Sequence, residues 1–170
     1  MKGKERMRHK VVLSAGSAIL TMITLIVLVG ILIYMLCNPE KGTAYEVSLI
    51  SYCVILCAAL IASLYYVPLY VEVDDGCVKV GRLFGGKRFT LADVESVDLF
   101  QPTMGAIRLC GSGGFMGYWG WFKERDTGKY FAYYGKSSDC FMLKMKDGRK
   151  YVLGCADPEM IVDEIRQKIG

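Results

Sequence analysis

YYVPLYVEVDDGCVKVG, residues 65–81, is where this chain changes its period. Upstream of Pro68 runs a charge-free apolar stretch. Downstream, Leu69, Val71 and Val73 alternate with Tyr70, Glu72 and Asp74, and Asp75-Gly76 is a hairpin turn signal. Alternation with a period of two sends one set of side chains to each face of a half-buried strand, whereas the preceding run offers no polar face. Two architectures therefore meet at Pro68, whose missing amide hydrogen cannot continue a helix.

Working upstream, residues 47–69 and residues 11–36 contain no Asp, Glu, Lys or Arg. Each run exceeds the ~20 residues a helix needs to cross a hydrocarbon core of about 30 Å. Two buried helices of this kind would leave a chain of 170 residues little polar surface to cover them. The first run is also too long for the apolar part of a signal peptide, and no small-x-small site follows it. The spacing predicts a transmembrane helical hairpin over residues 11–67, with helices at about 11–36 and 47–67. A basic tail, residues 1–10, precedes it and a cytoplasmic domain, residues 69–170, follows it. Pro39 and Pro68 close the two helices.

Charge sets the expected orientation. Lys2, Lys4, Arg6, Arg8 and Lys10 face a single acid, Glu5, in the tail, while the connector between the helices has only Lys41 as a base. Basic flanks stay inside, so both termini are predicted to be cytoplasmic in a multi-pass membrane protein. Small residues four apart, Ser14 with Ala18 and Ala58 with Ala62, allow the two helices to approach. The formal net charge of +4 resides in the tail, which leaves the rest of the chain nearly neutral. A domain without a basic face is not expected to bind nucleic acid, which needs its phosphates neutralised.

The cysteines, at 37, 53, 57, 77, 110, 140 and 155, form no C-x-x-C pair, and the one histidine, His9, lies in the tail. That inventory assembles no metal site of the usual kinds, and no metal or cofactor is expected. Ser112 has no histidine beside it to activate it as a nucleophile, and the acidic pairs sit where solvated charge belongs. The chain is read as non-catalytic, with no catalytic residues assigned.

Downstream of Pro68, strands are predicted at residues 69–74, 77–83, 87–91, 94–99, 130–134, 140–145 and 150–153. Short connections suggest an antiparallel meander. The last element differs. Asp157 suits an N-cap, Pro158 the first helical position, and Ile161, Val162, Ile165 and Ile169 form one apolar stripe at helical spacing. The fold class is therefore α+β: two N-terminal transmembrane helices, then a mainly antiparallel β domain with one C-terminal α-helix.

The stretches VEVDDGCVKVG and FTLADVESVDLF resemble the opening of bacterial pleckstrin-homology (PH)-like domains. IRLCGSGGFMGYWGWF, GKYFAYYG and GRKYVLGCADPEMIVDEI resemble the second half of one such family of small two-helix membrane proteins. The resemblance covers about 100 residues and implies a PH-like fold in a bacterial cytoplasmic membrane. It implies a platform that binds or scaffolds rather than a reaction.

Three segments invite functional readings. Residues 81–87, GRLFGGK, match the glycine–lysine spacing of a nucleotide loop, but Arg88 stands where Ser or Thr would hold magnesium and the flanks read as strands. Lys87 and Arg88 are instead candidate phosphate or headgroup contacts beside a hairpin turn, with Lys79 and Arg82 in the same neighbourhood. The densest feature is GSGGFMGYWGWF, residues 111–122. Read as one strand, it places Phe115, Trp119 and Trp121 on one face and Met116, Tyr118 and Phe122 on the other, so that neither face is polar. Such a strand must be covered twice. Phe115, Tyr118, Trp119, Trp121 and Phe122 are thus either a glycine-bulged core strand under the C-terminal helix, or candidate contacts to the membrane interface or to a protein partner. Lys123 and Arg125, with Lys129, would then meet anionic headgroups. Expected partners are the bilayer itself and a protein partner or a second copy of the chain; lipid sensing by residues 111–122 is the alternative.

Overall fold

The computed structural model describes residues 8–39 and 42–169. Most of the basic tail (Lys2, Lys4, Arg6, with Glu5) and the connector's Lys41 lie outside the described residues. Two long helices form as the apolar runs dictate: α1 (Ala15–Cys37) and α2 (Thr43–Tyr66). Their mean hydropathies are 2.8 and 2.4, and both are long and apolar enough to cross a membrane. Helix α1 begins behind Ser14, whose Oγ accepts from the Ser17 amide at 3.1 Å. Helix α2 starts four residues earlier than the charge-free run, with Glu46 in the first turn, where a carboxylate complements the helix dipole. Two tyrosines of α2 reach across to α1: Tyr52 donates to the Leu28 carbonyl at 2.6 Å, and Tyr45 to that of Met35.

The β domain has two sheets. The first, in the order β1-β2-β3-β4, contains β1 (Arg8–Lys10), β2 (Pro68–Val73), β3 (Cys77–Arg82) and β4 (Gly86–Thr90), all antiparallel. The second, in the order β5-β9-β10-β8-β7-β6, contains β5 (Val94–Leu99), β6 (Ile107–Gly114), β7 (Gly117–Glu124), β8 (Gly128–Tyr134), β9 (Cys140–Met145) and β10 (Lys150–Gly154). It is not a simple meander. β10 lies between β8 and β9 and runs parallel to β8, so the β6–β7–β8 meander is grafted onto a β5–β9–β10 sheet.

Val71, Val78 and Val80 of the first sheet meet Val97, Phe141, Leu143 and Leu153 of the second, and all are buried. Helix α3 (Pro158–Ile169) buries Ile161, Val162 and Ile165 in the same core, as its stripe predicts. It is fastened to β5 through Arg166, which donates to the Val97 carbonyl at 3.2 Å and to Asp98 at 3.0 Å. The opposite face of the second sheet carries its own cluster, Phe122, Tyr130, Ala132, Tyr134 and Val152, packed against Phe100, Ala106 and Tyr118.

Strand β1 was not expected. Residues 8–10, read from the sequence as part of a tail, pair with Glu72, Val71 and Tyr70 of β2. Arg8 sits 3.3 Å from the buried carboxylate of Glu72 and its guanidinium lies 4.9 Å from the Tyr70 ring centre. The Tyr70 ring in turn covers Gly81, where a methyl group would collide with it.

Candidate functional site

Residues 111–122 do not form one strand. They form a tight hairpin, β6 and β7, reversed at Phe115-Met116. Gly114 (φ +132°) and Gly117 (φ +94°) flank the reversal and Met116 itself has φ +53°, a backbone state that glycine and short turns tolerate. The glycines are symmetric about the turn: Gly114 pairs with Gly117 and Gly111 with Gly120. At the second pair the strands approach so closely that a Cβ on Gly111 would strike the Trp119 carbonyl, and one on Gly120 the Cys110 carbonyl. This mirror pattern of glycines was the sequence signal for a hairpin.

The reversal changes the faces. Phe115 and Met116 belong to the turn, Trp119 and Trp121 share one face of β7, and Tyr118 and Phe122 share the other. Phe122 is only 3% exposed, stacked at 6.1 Å on Tyr130, and Tyr118 stacks on Tyr134 at 4.8 Å. Trp119 stacks on Tyr66, the last residue of α2, with ring centres 5.2 Å apart and planes 12° apart. Trp121 meets Phe131 edge-on at 5.1 Å, with the Lys129 ammonium 4.4 Å above it. The ring partners of the hairpin are therefore β8 and Tyr66 at the end of α2, and Trp119 also packs against the core cluster that contains Ile161, Val162 and Ile165 of α3.

The hairpin tip leans on α1. Met116 donates its amide hydrogen to Thr21 Oγ1 at 2.8 Å, and a Cβ on Gly114 would lie 2.9 Å from Leu20. Neighbouring bonds fasten the same end of the domain: Ser14 donates to the Gly135 carbonyl at 3.0 Å and Val11 to that of Leu69 at 2.9 Å. Only Val67, whose amide caps α2 by donating to the Ser63 carbonyl, separates that helix from β2. No linker lets the domain swing free of the helices.

The candidate basic residues are dispersed. Lys87 and Arg88 are exposed neighbours on β4, and Arg88 lines a shallow recess with Glu72, Asp74, Cys77 and Lys79, whose acids oppose an anion. Lys123 and Arg125 lie at the far end of β7, about 20 Å from the hairpin tip at 3.3 Å per residue. They do not join Lys87 and Arg88, which belong to the other sheet.

One basic residue has an environment the sequence did not reveal. The half-buried Arg82 guanidinium lies 4.9 Å from the Tyr65 ring centre, 5.9 Å from that of Tyr66 and 6.0 Å from that of Tyr133. Its Nε is buried without a hydrogen-bond partner, as is Nε1 of Trp119, which stacks on Tyr66. Burial pushes the Tyr133 hydroxyl up to about 12, with Arg82 pulling the other way. Burial likewise raises Tyr130, whose hydroxyl donates to the buried Glu124 at 2.7 Å, and Tyr134. Glu124 also accepts from Thr103, which holds the 100–106 loop. Burial pushes the Cys155 thiol up to about 12 and raises Cys140 further, which keeps both as unreactive thiols.

Among the described residues no group of three or more His, Cys, Asp or Glu side chains is arranged to hold a metal ion. The family model described as Bacterial PH domain matches residues 69–169. No curated protein and no solved structure matches the chain.

Proposed function

Because the chain belongs to the bacterial PH domain family, we propose that it is an integral protein of the cytoplasmic membrane that holds its PH domain, as a non-catalytic binding or scaffolding module, against the cytoplasmic face. The observation that carries this reading is the bare apolar surface of both helices. Ile19, Ile26, Tyr34, Val47, Ile55 and Ile61 are each 60% or more exposed among the described residues. An apolar surface this extensive needs lipid around it. Helix ends bonded directly to the first strands support a module fixed at the bilayer rather than one cast on a tether. A protein partner or a second copy of the chain then supplies what the module binds.

Fractionation and a C-terminal reporter test this reading. The full chain should resist carbonate extraction, and a phosphatase fused to Gly170 should be silent in cells where a fluorescent protein at the same site is bright. Extraction by carbonate sinks the integral reading, and an active phosphatase inverts the topology.

The alternative, lipid sensing by residues 111–122, is supported by the Met116–Thr21 hydrogen bond. Thr21 is six residues beyond Ala15, about 9 Å along α1. In this reading the lipid contact narrows to the turn residues Phe115 and Met116, since Trp119 and Phe122 are already occupied by Tyr66 and Tyr130.

A further inference from the structure

The turn between β3 and β4 projects in the same direction as the end of α2. Strand β2 begins at Pro68, one residue after the helix cap, and Arg82 is the residue paired with Pro68 in the ladder. Their Cα atoms are thus about 5 Å apart. Strand β3 runs towards the helix and ends at Arg82, so the turn residues Leu83, Phe84 and Gly85 extend past Pro68 and beside the helix end. The ring contacts of Arg82 with Tyr65 and Tyr66 fix this placement independently. The turn is closed by the Arg82 amide donating to the Gly85 carbonyl at 3.0 Å, with Gly85 at φ +79°. Its two large apolar side chains are more than half exposed among the described residues: Leu83 52% and Phe84 58%.

Helix length sets the depth. At 1.5 Å per residue the 24 residues of α2 span about 36 Å. This exceeds a hydrocarbon core of about 30 Å and falls short of the ~40–45 Å that includes both headgroup layers. The Tyr66 end of α2 therefore lies inside the headgroup layer, and Arg82, beside it, lies at the level of the phosphates. Leu83 and Phe84 point from there towards the acyl chains. The Arg82 guanidinium is half-buried, only its Nε is among the buried unpaired atoms, and no carboxylate of the described residues lies within salt-bridge distance, so its outer nitrogens are suited to an anionic oxygen acceptor. By contrast the turn at the other end of β3, residues 74–76, carries Asp74 and Asp75 and points away from the helix.

We propose that the 82–85 turn is a second membrane anchor: Leu83 and Phe84 insert into the cytoplasmic leaflet beside α2, and Arg82 binds the phosphate of a phospholipid there. This rests on the integral-membrane reading above and adds a lipid site to it. The hairpin tip at Phe115-Met116, held against Thr21 of α1, approaches the same leaflet in this reading.

The test uses the full chain in nanodiscs and in detergent. Phe84→Trp adds a third indole to the native pair. In nanodiscs containing phosphatidylcholine brominated near the upper acyl chain, its added fluorescence should be quenched, whereas that added by Met104→Trp, at a fully exposed loop position, should not. Equal quenching of the two overturns the insertion. In detergent, short-chain phosphatidylglycerol should raise the melting temperature of the native protein, and Arg82→Gln should weaken that binding about fivefold, the effect of one basic residue at an anionic surface. Arg149→Gln, in the β9–β10 turn, should leave it unchanged. If Arg82→Gln does not fold, Arg82→Lys, which keeps the charge and loses the planar fork of guanidinium donors, is expected to bind more weakly than native. Lipid binding unaffected by every Arg82 variant overturns the phosphate assignment. So does an equal shift from inorganic phosphate alone, which would make the site one for free anions. A chain that stays in the membrane pellet yet shows no quenching at residue 84 refutes this inference and leaves the integral reading standing.

Discussion

Gly120→Ala tests the hairpin that joins the domain to the two long helices. Gly120 has φ +117°, and an added methyl would run into the Cys110 carbonyl of the facing strand. Two costs add. Holding an L-residue in that backbone region costs roughly 1–3 kcal/mol. Forcing a methyl into a closely packed contact costs a further 1–3 kcal/mol or so. Gly148→Ala supplies the comparison: its φ is +81° and nothing lies within 4 Å of the new Cβ, so it meets only the first cost. Gly120→Ala should therefore be less stable than Gly148→Ala by about 1–3 kcal/mol. In a protein of this size that lowers the melting temperature by a further ~2–12 °C. Urea unfolding in micelles reports it directly, because Trp119 and Trp121 flank the mutated position and are the only tryptophans. Equal midpoints for the two variants would show that the Gly111–Gly120 contact is not tight, and the account of the hairpin would fall with it.

Two further outcomes are expected. A double-mutant cycle on Tyr66→Leu and Trp119→Leu should give a coupling of about 0.5–1.5 kcal/mol, the usual worth of an aromatic pair beyond its buried area, and a coupling near zero would separate helix from hairpin. Stability should also fall at alkaline pH. Cys140, Cys155, Tyr130, Tyr133 and Tyr134 all have folded pKa values raised by burial, so the unfolded chain loses these protons first. Their contribution is complete below the unfolded thiol pKa of about 8.5 and is lost as pH rises towards 12, each group adding a slope of about 1.4 kcal/mol per pH unit in its window. Melts from pH 7.5 to 10.5 should show a steepening decline, and a flat profile would contradict the burial of these groups.

The parts of the fold legible in the sequence were those written in local pattern. Absent charge over residues 11–36 and 47–69 marked α1 and α2, and the stripe Ile161, Val162 and Ile165 behind Asp157-Pro158 marked α3. What escaped depends on contacts between distant residues. The parallel pairing of β10 with β8 has no local signature, and three residues, Arg8–Lys10, are too few to show an alternation. The glycine–aromatic segment was recognised as apolar on both faces, but its turn was hidden because glycines at 114, 117 and 120 also fit a repeat of three. Symmetry about residues 115–116 was the better description. Lys87 and Arg88 drew attention by adjacency in sequence, while Arg82 gains its surroundings from Tyr65, Tyr66 and Tyr133, which only folding brings to it.

Strand β1 has a consequence for how the protein is made. Its three residues leave the ribosome before α1, and their partner β2 emerges only after α2, so the first sheet cannot close until both helices have been threaded. In the integral reading proposed above, failure of one helix to insert leaves Arg8–Lys10 and Pro68–Val73 on opposite sides of the bilayer. The edge of the sheet then stays open, and Glu72 loses its ion pair with Arg8. In that same reading, correct membrane topology is a precondition of a complete domain, and the fold itself inspects the insertion that precedes it.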